Sequence, residues 1–240
     1  MNKVKIVVEG LRNISLPSVR RPALCPDDPS TEELVCWGIT FHVYSEIAHI
    51  RTVLSGLVAL ADQGNTPSGM ILARHVFEWT AHACYMRERL EWLVKSSQWS
   101  LAFKLMLQTD TGNSWAKNHG KNYDVPPLQE EILDPIDINT LIAAYAKYQK
   151  KEYEKSTVHD SYGYLSEYAH PNATCFVQYR DFEGADGYLV GPPPKSTFGG
   201  IDGFILEWLM FIHDLLALAK EDAVRQKLVD IMSAAARLAR

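Results

Sequence analysis

Two segments, SEIAH at residues 45–49 and SEYAH at residues 166–170, repeat the pattern Ser-Glu-x-Ala-His. On a helix, residues three apart share a face, so each segment would present a carboxylate and an imidazole together. In di-metal carboxylate bundles, two helices give Glu-x-x-His and two others give a lone Glu. This chain can supply that whole set from four helical segments: Glu46 with His49, Glu78, Glu167 with His170, and Glu207. Two features oppose a di-metal site. Arg74 lies one turn from Glu78 and would compete for its carboxylate. The Glu-x-x-His pairs also fall on the first and third long helical segments, not on the second and fourth as in ferritin-like bundles.

A second constellation follows helical spacing more closely. Arg74, Glu78 and His82 recur every four residues, amid Met70, Ile71, Leu72, Val76, Phe77, Trp79 and Cys84. A charged pair in such an apolar stretch is either a solvated i,i+4 ion pair or a polar seam between helices, because unpaired buried charge is costly. Further along, His159, Tyr162, Ser166 and His170 follow similar spacing, with Asn172 just past the helix end that Pro171 imposes. At a helix C-terminus His170 is either a charge that complements the dipole or a histidine presented to a ligand.

LARHVFEW at 72–79 holds R-x-x-x-E, and YGYLSEYAHPN at 162–172 holds Y-x-x-L-S-x-x-x-H-P-N. Together these motifs resemble a loosely defined group of uncharacterised bacterial helical proteins similar in outline to HEPN-type domains. The resemblance covers roughly residues 35–175. It implies an all-α bundle directed at RNA, through metal-independent cleavage or a role in defence. It carries Arg74, Glu78, Ser166 and His170 over as catalytic residues, with His82, Tyr162 and Asn172 as substrate-binding residues. The arginine and the histidine would then come from different helices. The chemistry it implies needs no cofactor: a base near neutral pKa takes the 2′-hydroxyl proton, and a guanidinium stabilises the phosphorane. RNA and a second copy of the chain are the expected partners. A non-catalytic binding or assembly module, whose polar seam only fixes helix register, stays open beside it, as does the di-metal protein.

Positioning these groups falls to the helices. Acidic residues after Ser30 and Thr31 open a helix expected to run to about Asp62 and stop near Gly64. Thr66-Pro67 reads as a cap and first helical residue for a second helix over 67–95, followed by a shorter one over 97–108. Residues 109–136 read as a long connection. Asp137 is expected to cap a helix over 138–152 that leads into 153–170 with a bend near Gly163. Two closing helices are expected over 201–220 and 221–238.

Residues 1–30 read as an N-terminal arm, with VKIVVE at 3–8 as a short strand before four prolines. CFVQYRDF and YLVG flank a glycine-bearing turn, so a small β-hairpin insertion is expected over 175–191. The fold class is therefore all-α: one helical domain over 1–240, a bundle of four or more long helices. A formal charge of −5 and 22% charged residues exclude a strongly basic nucleic-acid footprint but leave room for local basic patches. Cys25, Cys36, Cys84 and Cys175 form no metal-binding spacing and read as reduced thiols. The most apolar segment, 204–219, is interrupted by Glu207, His213 and Asp214, so no membrane span and a soluble, cytoplasmic protein are expected.

Overall fold

The computed structural model describes residues 1–18, 32–111, 136–169, 180–181, 189–190 and 200–238. Among them are eight helices: α1 (Asn2–Arg12), α2 (Glu32–Asp62), α3 (Thr66–Lys95), α4 (Trp99–Thr111), α5 (Ile138–Tyr153), α6 (Val158–Ala169), α7 (Ile201–Leu218) and α8 (Asp222–Arg237). The all-α expectation holds. The hairpin expected over 175–191 is not seen as such. The described residues hold there a two-residue antiparallel pair, Arg180 opposite Val190 and Asp181 opposite Leu189, and the rest of that span lies outside them.

Helix α3 is the hub, touching α2, α4, α5, α6 and α7 and packing most extensively on α7. Its start is built by local chemistry. Gly64, at φ +70°, turns the chain after α2. The Asn65 side chain then accepts from the Ser68 backbone N–H, with Pro67 in the first turn. The cap is thus Asn65, one residue before the expected Thr66. Asp137 caps α5 as expected, accepting from Asn139 N at 2.7 Å.

The break after α5 falls at 154–157, not near Gly163. Glu154 takes a left-handed conformation (φ 60°), and Ser156 Oγ accepts from Val158 N to start α6.

The N-terminal segment corrects the sequence reading most sharply. Residues 2–12 are a helix, and Val4, Val7, Val8 and Leu11 bury one of its faces. That face packs on α8, α2 and α7, so it belongs to the core rather than to an arm or strand. The same core continues through α7 and α3, where Phe77 meets Tyr145, Tyr162 and Phe204 in a cluster of rings. No helix among the described residues is long and apolar enough to cross a membrane.

Candidate functional site

Helix α2 runs past α3 for much of its length and carries His42, Ser45, Glu46 and His49 at spacings of three and four. Across from them α3 presents Glu78, Trp79 and His82. Between the two rows lies a cleft of about 480 Å³, closed at one side by Ile138 and Leu141 from the first turn of α5. Three imidazoles and two carboxylates line this one cleft.

Its floor is the most buried part. Glu46 is 1% exposed and His42 6%. Glu46 Oε1 accepts from the Trp208 indole N–H of α7 at 2.7 Å. Glu46 Oε2 has no hydrogen bond, although His42 Nε2 lies 3.5 Å away. The buried His82 Nδ1 also has none, and the His82 ring sits 5.3 Å from that of His42.

Burial dominates the protonation of both groups. Desolvation raises the Glu46 carboxyl to about 7, against the pull of His42 and the Trp208 hydrogen bond. Desolvation, aided by His42, lowers the His82 imidazole to about 3. Near neutral pH His82 is therefore an uncharged imidazole. The atoms that His42, Glu46 and His82 offer to a ligand all lie within 4.8 Å of one another.

At the rim, His49 and His75 meet at 2.7 Å through their Nε2 atoms, one of which carries the proton. Trp79 Nε1–H also reaches His75 Nε2, at 3.0 Å. Burial, then the neighbouring His49, holds His75 below its ordinary value, while Glu78 pulls the other way.

Arg74 and Glu78 form an i,i+4 pair, Nε to Oε1 at 2.8 Å. Arg74 Nη2 also donates to the Tyr162 hydroxyl on α6 at 3.0 Å, and the guanidinium lies 5.2 Å from the Tyr162 ring centre. The two motifs, 88 residues apart in sequence, are thereby joined across α3 and α6. Ser166 stands one turn beyond Tyr162 on α6 and its hydroxyl donates to the Tyr162 carbonyl at 2.7 Å. His170 and Asn172 lie outside the described residues. His82, expected among the substrate-binding residues, lies on the cleft floor with His42 and Glu46.

Of the di-metal set, His170 lies outside the described residues, and the other five, Glu46, His49, Glu78, Glu167 and Glu207, form no metal-binding cluster among the described residues. Glu46 turns to Trp208 of α7, while His49, about 60° further round the helix, engages His75 of α3. Glu207 accepts from Tyr145 and Gln149 of α5. Glu78 is held by Arg74, and Glu167 is exposed on α6. The described cluster able to hold a metal uses different partners, His42 with Glu46 and His82. Sequence reasoning missed His42. The signal was there as His-x-x-x-Glu in HVYSE, a true same-face spacing, overshadowed by the repeated Glu-x-x-His.

No protein-family model matches the chain, nor does any curated protein or solved structure.

Proposed function

We propose that the chain is an RNA-directed helical protein of the HEPN-like kind, cleaving RNA without a metal at the α3–α6 surface. One observation supports this reading: Arg74 of α3 bonds to Tyr162 of α6, which ties the first sequence motif to the opening residue of the second. The Glu78 carboxylate and the Tyr162 hydroxyl hold the guanidinium in a fixed direction, and these two bonds use only two of its five N–H donors. Phosphate oxygens suit the remainder. In this proposal His170 takes the proton of a ribose 2′-hydroxyl, whose oxygen attacks the adjacent phosphorus. Arg74 stabilises the charge of the phosphorane, the P–O5′ bond breaks to leave a 2′,3′-cyclic phosphate, and the departing 5′-oxygen takes a proton from water to become a 5′-hydroxyl. Ser166 and Asn172 position the substrate beside them, and a symmetric dimer would double the site.

The test is incubation of end-labelled single-stranded RNA with the full chain in excess chelator. Cyclic-phosphate products, abolished in His170→Ala and strongly reduced in Arg74→Ala, are expected. Intact RNA with the wild-type chain would overturn the reading.

A second reading has an observation of its own. Glu78 matches the charge of Arg74, and the Arg74 side chain is only 22% exposed, which suits a polar tie that sets the register of α3 and α6 in a non-catalytic binding or assembly module. On that reading Arg74→Ala lowers the melting temperature and there is no cleavage to lose.

A further inference from the structure

We propose that His42, Glu46 and His82 bind a single divalent transition-metal ion of the zinc class on the floor of the α2–α3 cleft. The site goes beyond the RNA reading, since none of these residues belongs to the Arg74–Tyr162 tie. It also differs from the di-metal arrangement considered from sequence in its ligands and in holding one ion rather than two.

Four features of the molecule carry the proposal. The first is donor chemistry. Two imidazoles and one carboxylate form a set that zinc and neighbouring first-row ions accept, with the remaining coordination position left to water or an incoming ligand. The second is spacing. Tetrahedral zinc bound at its usual distances places its ligand atoms roughly 3.3 Å apart. Here His42 Nε2 and Glu46 Oε2 stand 3.5 Å apart, and all three ligand atoms fit within 4.8 Å.

The third is the state of the ligand atoms. Glu46 Oε2 and His82 Nδ1 are buried with no hydrogen bond, which is costly for polar atoms that nothing coordinates. The other carboxylate oxygen is fixed by the Trp208 N–H, so Oε2 is oriented by an outer hydrogen bond in the way ligating carboxylates are. The fourth is access. The three groups lie under a cleft of about 480 Å³ that leads to them from the surface. Glu78 lines the same cleft with its charge matched by Arg74, so it adds little competing negative charge.

His49 and His75 at the rim are the competing place for an ion, because they too bring two imidazoles together. Any test has to separate the two.

The metal-free full-length chain is titrated with Co²⁺ and followed by visible absorption, then with Zn²⁺ as competitor. One Co²⁺ per chain is expected, with the intense bands of a four- or five-coordinate ion, displaced by one equivalent of Zn²⁺. Glu46→Gln retains an acceptor for Trp208 and is expected to weaken binding on the order of 100-fold, as is His82→Gln. His75→Ala is expected to leave binding unchanged. Absence of saturable binding to the wild-type chain overturns the proposal, and so does full binding by both ligand variants or loss of binding in His75→Ala. Should either ligand variant fail to fold, X-ray absorption of the wild-type zinc form decides. Two imidazoles and an oxygen around the ion, unchanged in His75→Ala, support the site; fewer than two imidazoles, or a shell that loses imidazole in His75→Ala, overturns it.

Discussion

Glu46 and His82 share one cleft floor, yet burial moves their protons in opposite directions. Glu46 holds a proton in the folded chain up to about pH 7, whereas in the unfolded chain it releases it near 4.5. Between those values the folded state binds more protons, so this group makes stability fall as pH rises. His82 is the reverse. Its unfolded form protonates below 6.5 and its folded form only near 3, so its contribution to stability falls as pH drops through that range. From 4.5 to 6.5 the two slopes, each about 1.4 kcal/mol per pH unit, cancel. The other titratable or charged groups near them are His42, beside both, His49 in the same cleft, and the matched Arg74–Glu78 pair. The metal-free wild-type chain should therefore show little pH dependence from this pair between 4.5 and 6.5. In Glu46→Gln the falling limb disappears and acid destabilisation by His82 stands alone, starting near pH 6.5. Urea midpoints measured in chelator across pH 3–8 check this, and a variant profile as flat as the wild type's would sink it.

At the scale of elements, the α3–α6 tie is the contact on which both functional readings depend. Tyr162→Phe removes the hydroxyl that Arg74 reaches but keeps the ring stacked on Phe77. It should cost about 1 kcal/mol, the worth of a partly buried hydrogen bond. Arg74→Lys loses the fork that serves Glu78 and Tyr162 together and should cost a similar amount. Because the two changes remove one shared bond, the double variant should cost less than their sum, by about 1 kcal/mol in thermal or urea unfolding. Strict additivity would mean the tie contributes nothing. This junction was partly legible in the sequence: four-residue spacing placed Arg74 with Glu78, and Tyr162 with Ser166. Which helices would meet was not, because contacts such as Glu46 with Trp208, 162 residues apart, depend on the docking of whole helices. Helix α1 shows the same limit from the other side. VKIVVE has strand-like composition, but Val4, Val7, Val8 and Leu11 also keep helical spacing, and packing decides between the two.

At the scale of the molecule, the first described helix and the last pack on each other, and that contact tests whether α1 is structural core. Gly10 on α1 lies directly against Ile231 of α8. A Cβ there would meet Ile231 Cγ1 of α8 at 2.5 Å and Cδ1 at 2.9 Å. Ile231 is 6% exposed and branched at Cβ, so it has little freedom to move aside. Gly10→Ala should therefore destabilise the chain by about 1–3 kcal/mol through overpacking, although alanine favours the helix over glycine by about 0.5–1 kcal/mol. Removing the obstacle should reverse the sign. Ile231→Ala alone leaves a cavity and costs about 2–5 kcal/mol, but in that background Gly10→Ala faces no Cγ or Cδ atoms and only the gain in helix propensity remains. The four-species cycle, read by urea unfolding, should give a favourable coupling of about 2 kcal/mol or more. If Gly10→Ala has the same effect in both backgrounds, α1 does not dock on α8 through Gly10. A sequence reading that makes residues 1–30 an arm predicts that null coupling; a core helix requires the large one.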